Sequence, residues 1–473
     1  MRTSLPFWLL LVAIVLVLVA APLVGYGGFM DGLLYNAVAH NQAQGYGSLW
    51  QPYFAKYNMS YFHEQPPLTF FIESLFFRAL GSGLWVERVY SFSTLVLGGL
   101  GIAAIWKTVH YRTPNALQYA WLPLLFWVVT PCIHWAYSNY MEENTMSIFV
   151  LAAVWCQAQI VYRNKSILIQ ILLQIVAALC LVLGSLCKGF PALFPLGLMG
   201  AAWLSGFVSL RKASINTLLL IVSVVFFYGI IYAILPAQNN ISDYLNARVF
   251  NSIKNVSTEQ GRFWLAQHIL EQLIPVFVAV GALLIINKQK LHLNITTQKA
   301  NFAFFLLLGL AGSMPLMVTR EQRGFYLATA IPYFAIAFAS IILPILIFLV
   351  SKINITTQKY LTIAAAIMVF GATVFVATKV GGYTREADKW SDFFVLQQIL
   401  PRRADVKIAN EMWDDWELQC GMMRIHGTNF DSDTTRPVPF RYYLLDKTLR
   451  LNAPDNYSPM DLHLQRYELY QLK

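Results

Sequence analysis

Long apolar runs, broken by short polar connections, dominate the first four fifths of the chain. Runs of spanning length lie at about 5–24, 84–106, 116–133, 145–161, 167–187, 190–207, 215–235, 268–287, 301–318, 325–350 and 359–378. Such lengths suit helices that close their own backbone hydrogen bonds in lipid. The pattern predicts a polytopic α-helical membrane protein with about 11 transmembrane helices and a small C-terminal extracytoplasmic α/β domain. Arg2 and Ala20-Ala21 are the marks of a cleavable leader, but roughly twenty apolar residues favour a retained first helix. Two polar stretches stand out as long outer loops, 25–83 and 236–267. From about 380 the pattern changes to mixed polar and charged. Val406 to Ala409 reads as a strand, Glu411 to Met423 as a helix, and Arg441 to Leu445 and Leu462 to Leu472 as extended. The expected domains are therefore 1–379 in the membrane and 380–473 outside it.

Composition agrees. Of 473 residues 57% are hydrophobic and 12% charged, too few charges to cover a soluble protein of this size. The net charge of +10 is largely a topology signal. With the N-terminus inside, Lys107, Arg112, Arg163, Lys165, Arg211, Lys212, Lys288, Lys290, Lys299, Lys352 and Lys359 occupy the inner connections, and no Asp or Glu joins them. Basic residues scattered over short loops exclude a nucleic-acid surface. Asp31, Glu64, Glu73, Glu87, Glu142, Glu143, Asp243, Glu259, Glu271 and Glu321 all fall on the outer side, with the tail. Chemistry that needs a carboxylate is expected there. Five cysteines in or beside apolar runs, or alone at Cys420, make no disulfide framework. Eight dispersed histidines declare no metal site, and a divalent metal is left open.

Asp31 lies just past the first run, beside Gly25, Gly27, Gly28 and Gly32, where a carboxylate at the membrane face is expensive without a task. Asp31 to Gln44 could begin a short helix lying on the outer membrane surface. His63-Glu64-Gln65-Pro66-Pro67-Leu68 precedes an apolar-faced helix over 68–80, expected to lie in the interface. Glu142 and Glu143 are adjacent, so at most one is expected to point into a site. Lys188-Gly189 has almost no loop to hold it, and either snorkels or meets an anion, with the glycine admitting close approach. Arg248, Arg262, Arg320 and Arg323, followed by Tyr326, are basic residues on the side that topology should leave poor in them, which favours a negatively charged ligand. The one internal repeat, Asn294 to Lys299 and again Asn354 to Lys359, is too short for an inverted-repeat transporter.

Taken in order, these motifs resemble the GT-C glycosyltransferases, nearest the branch holding the protein O-mannosyltransferases and the lipid A aminoarabinose transferases. Asp31 resembles the acid after the first helix, and Glu64-Gln65-Pro66-Pro67-Leu68 the acid–x–Pro-Pro-Leu element. Glu87-Arg88-Val89-Tyr90-Ser91 resembles the entry to the second helix, Glu143 with Met146 the second outer acid, Leu186 to Pro191 the Leu-Thr-Lys-Gly-Pro element, and Gly324 to Leu327 with Pro332 the Lys-Phe-Tyr-Leu motif. Gln65 stands where the family often has a lysine, and Cys187 replaces its threonine.

The resemblance implies an inverting glycosyltransferase that moves a sugar from a polyprenyl-phosphate donor to a lipid, glycan or protein acceptor on the extracytoplasmic face. A bacterial inner membrane is the implied setting. Asp31 and Glu143 are the expected catalytic residues. His63, Glu64, Arg88, Lys188, Arg248, Arg262, Arg320, Arg323 and Tyr326 are the expected substrate-binding residues. A phosphate leaving group needs no dedicated acid, so one base plus cations suffices. The alternative class is a secondary transporter with outer-face acidic residues. Such proteins place their coupling acids near the bilayer midplane, whereas these cluster at helix ends.

Overall fold

The computed structural model describes residues 4–163, 165–250, 261, 263–286, 296–318, 322–436 and 440–473. Eight helices among these are long and apolar enough to cross a membrane: Leu5–Leu23, Trp85–Val109, Glu142–Tyr162, Ile167–Lys188, Leu210–Tyr232, Gln298–Val318, Ile331–Ser351 and Ile355–Lys379. Two helix pairs are together long and apolar enough but sharply bent, as in a broken span or a re-entrant loop: Ala116–Val128 with Pro131–Ser138 at 80° and Trp264–Gln272 with Ile274–Ile285 at 50°. A proline lies at each break, where its missing N–H and its ring interrupt the helical ladder. The run expected at 190–207 departs from expectation. It is a 3-10 segment, Phe190–Gly197, followed by the short helix Leu198–Leu204. Pro191 and Pro195 keep it from forming a full span.

The second copy of the six-residue repeat stands at a helix start, at Ile355. In the first copy Thr296 to Lys299 are helical, and Asn294 and Ile295 lie outside the described residues. In the second copy the Asn354 side chain accepts a hydrogen bond from the Thr357 N–H (2.8 Å), supplying one of the partners a helix start lacks.

The chain divides into two compact units. The first comprises Met1–Ala21, Ser91–Ser138 and Glu142–Thr378. Its interior includes a tight cluster of Ala153, Cys156, Ala177, Ala178, Leu181, Val182, Leu220 and Val224, where small residues let helices approach closely.

The second unit comprises Pro22–Tyr90, Asn139–Met141 and Lys379–Lys473. Its central helix, Met30–Ala43, does not lie on a surface, because Tyr35 to Gln42 are buried without a break. One face packs on the helix Leu68–Leu80, through Tyr35 against Phe70 (5.8 Å between ring centroids) and His40 against Phe77 (5.3 Å). The Leu68–Leu80 helix is likewise no simple interfacial anchor. Phe70, Glu73 and Phe77 are buried in this unit, and Leu75 is exposed.

The tail contributes helices Ala387–Ile399 and Trp416–His426 and five strands: β1 (Asp405–Ile408), β2 (Asn429–Asp431), β3 (Tyr442–Asp446), β4 (Tyr457–Pro459) and β5 (Tyr467–Leu472). Their order is β2-β1-β3-β5-β4, with β1 parallel to β2 and β3, and β5 antiparallel to β3 and β4. Asp392 fastens the first tail helix to the start of β5 by accepting the N–H groups of Gln465, Arg466 and Tyr467 at 2.6, 2.7 and 2.9 Å. Trp416–His426 packs along Met30–Ala43, so the tail and the first loop form one body.

Candidate active site

In the second unit, Asp31 occupies the first turn of Met30–Ala43, where the helix N-terminus favours a negative charge. The Phe29 N–H ahead of it donates to Asn139 Oδ1 (2.8 Å). The glycines here do not leave open space. A Cβ on Gly32 would collide with the Asn139 carbonyl oxygen, and one on Gly28 would stand 3.2 Å from the Tyr140 ring. Gly27 has φ +94° and faces the Arg385 backbone, which a Cβ would meet at 2.6 Å. Gly27 and Gly32 admit neighbouring backbone, and Gly28 the Tyr140 ring, against the Asp31 turn, which fixes its position.

Arg88 lies behind the same turn. Its guanidinium donates to the Gly25 carbonyl (2.9 Å), sits over the Tyr26 ring at 5.1 Å and hydrogen-bonds Tyr140. The neighbouring Glu87 accepts from Arg424 Nη2 (2.6 Å), and both side chains are buried. Arg424 also donates to the Ser82 and Gly83 carbonyls and covers Phe77 at 4.7 Å. In the first loop, His63 Nδ1 donates to the Tyr61 carbonyl (3.2 Å), and Glu64 follows it, half-buried.

In the first unit, the two acids and the lysine meet. Lys188 Nζ lies 3.0 Å from Glu142 Oε2 and 3.5 Å from Glu143 Oε1, with all three side chains buried. Lys188 therefore does not snorkel. The expectation that only one acid could point inward also fails, because both residues open the helix Glu142–Tyr162. There the side chains are not held apart by a preceding turn. Lys188 is the last residue of its own helix, so acids at an N-terminus face a cation at a C-terminus, and both helix dipoles support the arrangement.

Gly189 follows at φ +86°, and a Cβ on it would collide with the Tyr244 hydroxyl. The close approach read for a ligand is made by that tyrosine. Nearby, the Tyr228 hydroxyl from the helix Leu210–Tyr232 donates to Ser185 Oγ, three residues before Lys188 (2.5 Å). Arg323 leads into the 3-10 turn Gly324–Thr329, where Tyr326 lies edge-on to Phe325 and Phe325 stacks on Trp135 at 5.3 Å. His268 stacks on Trp264 at 4.5 Å and its Nδ1 lies 3.1 Å from Glu271 Oε2.

The expected site residues thus form two groups. Asp31, His63, Glu64 and Arg88 belong to one unit, and Glu143, Lys188, Arg323 and Tyr326 to the other. Arg248 falls in the π-helical turn Leu245–Phe250, while Arg262 and Arg320 lie outside the described residues. Sequence reasoning missed Glu142 as a second partner of Lys188, and Arg424 as the partner of Glu87. An arginine some 340 positions from its carboxylate leaves no local signal. Among the described residues, no three His, Cys, Asp or Glu side chains gather as metal ligands.

No protein-family model matches the chain, and no curated protein matches it. Solved structures do share its architecture. ArnT from Cupriavidus metallidurans bound to undecaprenyl phosphate superposes with a TM-score of 0.67 at 13% identity, covering 98% of this chain and 97% of that one. The apo form of the same protein gives 0.65 at 12% identity, over the same shares. The Archaeoglobus fulgidus oligosaccharyltransferase gives 0.54 at 11% identity, covering 94% of this chain and 69% of that one. The chain is an integral membrane protein that shares its fold with these two transferases over nearly its whole length, the small C-terminal sheet domain included.

Proposed function

We propose that this protein is an inverting glycosyltransferase that takes a sugar from a polyprenyl-phosphate donor and passes it to a lipid, glycan or protein hydroxyl on the extracytoplasmic side. The observation that carries the reading is the end-to-end likeness to a structure of ArnT holding undecaprenyl phosphate. An acid placed at a helix start beyond the first span, in a frame of tightly packed backbone, supports it further.

Asp31 is the general base. It takes the acceptor hydroxyl proton as that oxygen attacks the anomeric carbon from the face opposite the phosphate. The bond from the anomeric carbon to the phosphate oxygen breaks, and the carrier phosphate leaves with the electron pair. Lys188, Arg248, Arg262, Arg320 and Arg323, with Tyr326, supply positive charge and hydrogen bonds to the phosphate. Glu143 orients the acceptor, and Glu64 with His63 keeps the first loop in shape. Lys188 is held by two carboxylates in the free protein, so a phosphate gains its charge by competing with them.

Purified protein with a labelled polyprenyl-phosphate sugar tests the reading through release of carrier phosphate. Positioned bases contribute roughly 10²–10⁴-fold. Asp31→Asn should keep donor binding and lose at least about two orders of magnitude in transfer. An active Asp31→Asn beside an inactive Glu143→Gln would move the base to Glu143. No release by wild-type protein with any such donor would overturn the enzyme class.

A further inference from the structure

A cavity of about 800 Å³ lies at the other end of the first unit from the acid–lysine cluster. Its wall includes Trp8, Lys107, His110, Tyr111, Leu117 and Arg163. Arg163 directly follows the helix Glu142–Tyr162, whose 21 residues separate it from Glu142 by about 30 Å, the thickness of a hydrocarbon core. This cavity therefore belongs to the opposite membrane face and to none of the site described above.

Three features of the wall ask for an occupant. Two cations, Lys107 and Arg163, line it, and no Asp or Glu is among its lining residues. Positive charge also converges on one ring. Arg163 lies over Tyr111 at 4.3 Å, while Arg112 lies over the same ring at 5.4 Å and donates to its hydroxyl (2.9 Å). Most of the lining surface is apolar, with Leu5, Trp8 and Leu117 contributing to it beside the neutral polar Ser4, Thr113, Asn115 and Gln118, and Leu5 and Leu117 are half-exposed. A bias toward basic inner connections sets orientation by number alone and does not require the charges to meet on a cavity wall. Bringing like charges together without a carboxylate is unfavourable until an anion joins them. Apolar lining beside two cations, at membrane depth, matches a lipid phosphate with the start of its chains.

We infer that this cavity binds the phosphate headgroup of an anionic phospholipid in the leaflet opposite the acid–lysine cluster, with Lys107 and Arg163 as its ligands and Trp8 and Leu117 against its chains. The inference does not depend on the proposed transferase activity.

Native mass spectrometry of the purified full chain tests it, with phosphatidylglycerol, phosphatidylcholine, polyprenyl phosphate and inorganic phosphate each added separately. Phosphatidylglycerol should remain bound to wild type. Lys107→Gln with Arg163→Gln should weaken its retention about tenfold or more, the usual effect of losing a charge-assisted contact. Phosphatidylcholine should be unaffected. Lys359→Gln, which removes a charge from another connection, should behave as wild type, and Arg163→Gln alone should show a partial loss if the double variant folds poorly. Equal phosphatidylglycerol retention in wild type and Arg163→Gln would overturn the site. So would a loss seen only with polyprenyl phosphate, or displacement of the lipid by inorganic phosphate at equal concentration.

Discussion

Lys188 sets one positive charge against two carboxylates, all three shielded from water. Removing one partner of a buried ion pair strands the other, at a cost of about 3–5 kcal/mol. Lys188→Ala should therefore lower thermal stability in detergent as well as donor affinity. The triple change Lys188→Met, Glu142→Gln and Glu143→Gln should regain most of that stability without regaining transfer. If Lys188→Ala melts like wild type, the cluster is not holding the helix ends together.

His40 offers a second test at the same scale. Burial, aided by the Arg424, Arg402 and Arg403 charges, depresses its pKa to about 3, and its Nε2 is buried without a hydrogen-bond partner. The folded state keeps the ring neutral, whereas the unfolded chain takes up a proton near the usual 6.5. Stability from this residue is thus full above pH 6.5 and falls as pH drops toward 3, by up to about 1.4 kcal/mol per pH unit. His40→Asn should flatten that part of the pH–stability curve. An unchanged slope would mean that carboxylates alone cause the acid sensitivity.

Between elements, Arg424 is the principal tie in the second unit. It bonds the buried Glu87 at the start of Trp85–Val109, two carbonyls before it, and the face of Phe77, all from the tail helix Trp416–His426. Arg424→Met should destabilise the protein by about 3–5 kcal/mol, and adding Glu87→Gln should return much of the loss. Additive effects of the two changes would show that they do not act as a pair. Gly32→Ala is milder in chemistry but badly placed, since its new methyl must push back the Asn139 carbonyl. About 1–3 kcal/mol is expected from such overpacking. Because the shift falls on the turn that carries Asp31, transfer should fall more than stability does.

For the whole molecule, the charge bias predicts that the tail and Lys107 lie on opposite sides of the membrane. Asp433 is exposed, while Cys132, Cys156, Cys187 and Cys420 are buried and Cys180 is half-buried within the apolar helix Ile167–Lys188, which keeps background labelling by a polar reagent low. In intact cells stripped of any outer barrier, a membrane-impermeant maleimide should react with Asp433→Cys and spare Lys107→Cys. The reverse pattern would invert the orientation and remove the extracytoplasmic reading of the carboxylates.

Hydrophobic pattern was enough to locate the eight spanning helices, and two more of the eleven apolar runs are bent helix pairs, because a spanning helix satisfies its own backbone and depends little on its neighbours. In the tail, β1, β3, β5 and the Trp416–His426 helix also answered to local pattern. Strands as short as β2 and β4, three residues each, carry no periodicity to detect. The same limit applies to the candidate site. Asp31, Glu143 and Lys188 could be chosen from their place beside apolar runs, since an ionisable group there is costly. That Glu142 and Glu143 both reach Lys188, that Gly32 and Gly189 are occupied by Asn139 and Tyr244, and that Glu87 is answered by Arg424 are facts of folding. Each joins residues from about 50 to 340 positions apart. Such partners are chosen by the packing of helices, which fixes distances that no local pattern encodes.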